Sequence, residues 1–166
     1  MGLRSTNLLR SLWVPGAALL AALAAASLAS RLHTLHLPGG PLMFIATYAA
    51  YAIWAFVQQF LLQCFFLARL RRILPNATFA AFVAAFIFAA AHLPNPILTP
   101  ITLLWGFAAC LLFLRYCNLY PLALAHAILG IAIAITIPGP AIHNMRVGLG
   151  YLTYGHAHKP IASPQP

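Results

Sequence analysis

The chain has 166 residues, of which 63% are apolar and 5% charged, with nine Lys and Arg and no Asp or Glu. A mean hydropathy of +0.92 lies far above that of a soluble domain and points to a polytopic membrane protein built in lipid. The missing carboxylates exclude aspartyl dyads, carboxylate-held Mg²⁺ or Ca²⁺, acidic proton relays and a Glu general base from within the chain. The formal charge of +9 is scattered over segment ends, which argues against nucleic acid as a partner.

The first apolar segment, Leu12 to Leu32, follows Arg4 and Arg10, and its length of about 20 residues suits a spanning helix. Ala25-Ala26-Ser27-Leu28-Ala29-Ser30 is similar to a signal-peptide cleavage region, but the apolar run is longer than a usual signal core and reads as a retained anchor. Arg31, His33, His36 and Pro38-Gly39-Gly40-Pro41 form a loop. The second segment, Pro41 to Ala68, carries Gln58, Gln59 and Gln63 and ends at Arg69, Arg71 and Arg72. Pro75-Asn76 supplies a turn and N-cap for a third segment, Ala77 to Leu93, which Pro94-Asn95-Pro96 breaks just after His92. A fourth runs from Ile101 to Leu114, with a start extendable to Ile97, and stops at Arg115. The fifth, Leu119 to Ile137, contains His126 and Gly130 and ends at Pro138-Gly139-Pro140. The tail, with His143, Arg146, His156, His158, Lys159 and Pro160 to Pro166, reads as a solvated end.

The fold expected is all-α, a transmembrane bundle of about five helices, divided as an anchor and loop at 1–40, a core at 41–140 and a tail at 141–166. An inside N-terminus puts Arg4, Arg10, Arg69, Arg71, Arg72 and Arg115 on the cytoplasmic side and Arg31, Arg146 and Lys159 outside, six against three, as the positive-inside rule requires. Cys64, Cys110 and Cys117 lack CxxC spacing and read as small packing residues.

Three amides within six residues of hydrocarbon must face protein or trapped water, because each unpaired one costs several kcal/mol. Their natural partners are the intramembrane histidines His92 and His126. Gln59 and Gln63 share a helix face, as do Phe88 and His92, and His126 and Gly130. Counted from the inner helix ends at about 1.5 Å per residue, Gln59 lies about 15 Å deep, His126 about 10 Å and His92 about 24 Å, a spread that helix tilt or the break at Pro94 must close.

From Gln58 to Gly130 these residues resemble the CPBP intramembrane proteases, also called Abi or type II CAAX prenyl endopeptidases. That family carries Glu-Glu-x-x-x-Arg on one helix, Phe-x-x-x-His on the next and His-x-x-x-Asn or Asp on a later one. Gln58, Gln59 and Gln63 fall on the first motif, Phe88-Ala89-Ala90-Ala91-His92 matches the second, and His126 matches the third with Gly130 in place of Asn. Phe60-Leu61-Leu62, Phe65 to Leu70, Leu93-Pro94-Asn95-Pro96 and Met145 to Tyr151 are also similar to the family's neighbouring sequence.

The resemblance implies a glutamate-dependent intramembrane endopeptidase in a bacterial inner membrane, with zinc as the metal suggested by His92 and His126. Phe88 and Gly130 would border a site for a prenylated or transmembrane peptide. Here all three first-motif positions are neutral amides of similar reach, which can orient water but cannot take its proton. Removing the acids alone would have stranded a buried Arg, so the joint replacement is electrostatically consistent. The implied reading is a member whose shape is kept and whose acid–base chemistry is lost. Two others stay open: a working peptidase using His92 or His126 as base with metal-bound water, and a non-catalytic scaffold subunit in which the glutamines are interhelical glue and the histidines are buried and neutral.

Overall fold

A computed structural model describes residue 3 and residues 7–157. Arg4, His158, Lys159 and Pro160 to Pro166 lie outside the described residues. The helices are α1 (Leu8–Ser11), α2 (Trp13–Arg31), α3 (Pro41–Phe60), a π-helical stretch (Leu61–Leu67), α4 (Ala68–Ile73), α5 (Ala77–Ala90), α6 (Leu98–Tyr116), α7 (Tyr120–Thr136), α8 (Gly139–Ile142), a 3₁₀ turn (His143–Met145) and α9 (Gly148–Ala157). Among the described residues there is no strand, so the all-α expectation holds.

Among the described residues three continuous helices are long and apolar enough to cross a membrane: Leu8–Arg31, Pro41–Ile73 and Leu98–Tyr116. The other two expected spans, α5 and α7, are apolar but shorter, at 14 and 17 residues. At about 1.5 Å per residue α5 covers about 21 Å, less than a hydrocarbon core of about 30 Å. It stops at Ala90 rather than Leu93, and His92 sits in the turn beyond it. Asn76 caps α5 as expected, its Oδ1 accepting from the N–H groups of Thr78 at 2.7 Å and Phe79 at 3.3 Å.

The sequence of α5 reads inside out. Ala80, Ala81, Ala84 and Ala85 are fully buried, whereas Phe79, Phe82 and Phe86 point outward. In lipid the apolar rings gain nothing by turning inward, and small residues let backbones approach. The alanine face packs on α6 at Gly106, where an added Cβ would lie 3.1 Å from Phe88 and 3.4 Å from Ala85.

The first segment does more than anchor: α2 packs along α7, burying Val14 and Ala18 against Leu122 and Ala125. At one end of the bundle Leu70 and Leu74, beside the Arg69–Arg72 cluster, share a cluster with Phe113 and Leu114, beside Arg115. At the other end His36 N–H donates to the Ile135 carbonyl at 2.9 Å.

Residues 142–148 of the tail depart from the solvated end expected of them. Asn95 is fully buried; its Oδ1 caps α6 by accepting from Ile97 N–H at 3.1 Å and Leu98 N–H at 3.0 Å. Its Nδ2 donates to the carbonyls of Ile142 at 2.9 Å and Arg146 at 3.2 Å, and Gly148 N–H donates to Leu93 O at 2.8 Å. The tail is thus bound to the loop that carries His92. Cys110 is buried and Cys64 partly so, but Cys117 is exposed at the C-cap of α6, with φ 52°, and is no packing residue.

Ala84→Leu is expected to destabilise the bundle by about 1–3 kcal/mol through overpacking, while Phe82→Leu on the lipid face stays within about 0.5 kcal/mol. Reversible unfolding of both variants in the same detergent or bilayer measures the contrast.

Candidate functional site

The centre of the bundle is a line of hydrogen bonds. Gln63 Nε2–H donates to Gln59 Oε1 at 3.2 Å, and Gln59 Nε2–H donates to His126 Nδ1 at 3.2 Å. Both glutamines are fully buried and His126 is 5% exposed, so these bonds form away from competing water. Gln63 lies in the π-helical stretch, whose extra residue per turn lets the long helix present Leu62, Gln63 and Leu67 to the bundle. Gln63 Oε1 is buried without a partner among the described residues.

Gln58 stands apart from this line: it is half-buried and lines a cavity of about 990 Å³ that also reaches His92, His126 and Gly130. His92 Nδ1–H donates to the Phe88 carbonyl at 2.8 Å, which leaves the lone pair on Nε2. The Phe88 ring meets both imidazoles, with centroids 4.9 Å from His92 and 5.9 Å from His126. One aromatic ring thereby closes the spread in depth that the sequence register gives. The two histidines have opposite characters. His126, accepting at Nδ1, carries its proton on Nε2 and is a donor there, while His92 is an acceptor at Nε2.

This donor set does not fit a resident zinc ion. Zinc takes three or four protein ligands, and among the described residues no group of three His, Cys, Asp or Glu side chains comes together. The folded-back tail brings His143 onto the Tyr151 ring, 4.0 Å between centroids, rather than to the other two. A zinc-binding Nε2 also needs a lone pair, with an acceptor holding the proton on Nδ1, and Gln59 presents a donor instead.

Gly130 is buried one turn beyond His126 and makes room for Tyr51: a Cβ added at 130 would overlap the Tyr51 hydroxyl and ring. Tyr51 is a site residue that the sequence reading missed. Its signal is periodic, because Thr47, Tyr51, Trp54 and Gln58 recur at helical spacing on α3 and all line the cavity. Trp105 on α6 adds a ring 6.1 Å from His126. The cavity is otherwise mainly apolar, walled by α2 at Ala22 and Ala29 and by the tail at Ile142 and Val147, with no Lys or Arg lining it among the described residues.

Residues 40–132 match the family model described as Type II CAAX prenyl endopeptidase Rce1-like, more than half of the chain. No curated protein and no solved structure matches it significantly.

Gly130→Ala is expected to cost about 1–3 kcal/mol by driving the new methyl into Tyr51. Tyr51→Ala in the same chain is expected to relieve it, giving a coupling energy above about 1 kcal/mol in a double-mutant unfolding cycle.

Proposed function

Because the chain belongs to the type II CAAX prenyl endopeptidase family, Rce1-like, we propose that it keeps the intramembrane cavity of that family but is impaired in the acid–base chemistry of peptide hydrolysis. The observation that carries this reading is the hydrogen bond from Gln59 Nε2 to His126 Nδ1. A carboxylate at 59 would accept from His126 and leave Nε2 basic; the amide reverses the polarity and turns Nε2 into a donor. No Asp or Glu elsewhere in the chain takes over the missing base.

What remains is a binding site. Its mainly apolar wall suits a lipid-modified or membrane-spanning segment, and His92 Nε2, His126 Nε2–H and the Gln58 amide suit the polar groups of a peptide backbone. We assign it a prenylated or transmembrane peptide, or a membrane partner offering such a segment, held without cleavage. The protein is an integral membrane protein. The gathering of Arg69 to Arg72 and Arg115 at one end supports a bacterial inner-membrane orientation with a cytoplasmic N-terminus.

The test uses the full chain in lipid nanodiscs with a fluorescent farnesylated CAAX peptide and a transmembrane peptide. The wild type is expected to bind one of them and leave it intact. Gln58→Glu/Gln59→Glu is expected to raise cleavage by a factor of about 10² or more, the ordinary contribution of a positioned base. Wild-type cleavage abolished by His92→Ala or His126→Ala would instead mark a working peptidase. Absence of peptide binding, with partner association insensitive to either alanine, would mark a scaffold subunit.

A further inference from the structure

The inner end of the bundle carries a second site, separate from the cavity. Asn7 Nδ2–H donates to the Tyr116 carbonyl at 3.1 Å, and Trp13 Nε1–H donates to the Tyr116 hydroxyl at 3.2 Å. These bonds join α1 and the start of α2 to the end of α6. Beside the Asn7–Tyr116 bond lies a pocket of about 400 Å³ lined by Asn7, Arg10, Arg115 and Tyr116.

Two guanidinium groups border this pocket, both exposed, with that of Arg115 5.4 Å from the centroid of the Tyr116 ring. Like charges so placed repel each other weakly in water, and an anion seated between them gains from both. No side chain offers that anion, because none of the 166 residues is Asp or Glu. An anion that fills the pocket comes from outside. A guanidinium fork matches the oxygens of a phosphate group in two parallel hydrogen bonds, better than it matches a monatomic ion. The neighbouring side chains narrow the source further: the paired Trp13 and Tyr116 are residue types favoured at the membrane–water boundary, where lipid phosphates lie.

We propose that the Asn7–Arg10–Arg115–Tyr116 pocket binds the phosphate group of an anionic lipid headgroup and so clamps α1 onto the C-terminal end of α6. The site is a pocket rather than a diffuse field, so it distinguishes Arg10 and Arg115 from Arg69, Arg71 and Arg72. Its occupancy does not depend on what the cavity holds, and its test stands apart from that of peptide binding.

The experiment measures lipid retention by native mass spectrometry. The full chain is released from nanodiscs of phosphatidylcholine alone, or of phosphatidylcholine with phosphatidylglycerol, with and without millimolar inorganic phosphate. Wild type is expected to retain phosphatidylglycerol, not phosphatidylcholine, and to keep it in the presence of phosphate. Arg10→Gln and Arg115→Gln are each expected to weaken retention about 5-fold, and the pair about 30-fold. Arg71→Gln/Arg72→Gln removes the same charge from the same end and is expected to leave retention unchanged. Arg10→Lys/Arg115→Lys, which keeps both charges, is expected to retain lipid above the level of the glutamine pair and secures the comparison if that pair does not fold. Equal loss with either pair of glutamine substitutions, equal retention of the zwitterionic lipid, or no loss on removing Arg10 and Arg115 would overturn the proposal. Displacement of the lipid by inorganic phosphate would assign the pocket to a soluble phosphate and overturn the lipid source.

Discussion

The Gln59 side chain bonds in two directions, giving Nε2–H to His126 and accepting from Gln63, at a depth where an unmade hydrogen bond costs several kcal/mol. That constraint ties three elements together, the end of α3, the π-helical stretch and α7. It also fixes the chemistry of the site. An amide chain running from Gln63 through Gln59 to His126 has a direction, and the direction assigns the proton on the imidazole. With the proton on Nε2, the lone pair of His126 lies on Nδ1 and is taken up by Gln59 Nε2–H, while His92, held through Nδ1 by the Phe88 carbonyl, keeps its lone pair on Nε2. Neutral groups at 58, 59 and 63 make such a line sustainable in lipid, where a lone Arg would need a carboxylate that the chain does not contain.

The rest of the bundle supports this line. The alanine face of α5 brings Phe88 up to both histidines, and the short α5 leaves His92 in a turn bound to the tail. Gly130 yields its space to Tyr51, so a position that is polar in the family motif is filled here by a ring from another helix. At the end of the bundle that carries Arg10 and Arg115 the situation is the opposite, positive charge with no acidic side chain to meet it.

Much of this was legible in the residues. Apolar runs bounded by Arg, Pro and Gly gave the five hydrophobic segments to within a few residues, because helix length and termination in lipid follow from local chemistry. The cost of buried amides pointed Gln59 toward His126, and the family motifs singled out His92 and Gly130, which line the cavity, and Phe88, which packs on both histidines instead of lining it. What escaped depends on three-dimensional closeness. Neither the π-helical stretch at Leu61–Leu67 nor the folding of residues 142–148 onto Asn95 has a periodic signature. Asn95 read as part of a break, although an Asn between prolines ahead of an apolar run is also an N-cap signal. Tyr51 carried helical spacing with Gln58, but only the gap at Gly130 reveals what it fills.

The most direct measurement is the protonation pattern of the His126 ring by ¹⁵N solid-state NMR of the full chain in bilayers, assigned by difference from His126→Asn. The account requires a neutral imidazole with a bare Nδ1 accepting from the Gln59 amide and a protonated Nε2. A proton on Nδ1 with a bare Nε2, or a doubly protonated ring, would contradict it, because the line of amides would then run the other way or carry a charge, and the loss of basicity at His126 could not be attributed to Gln59.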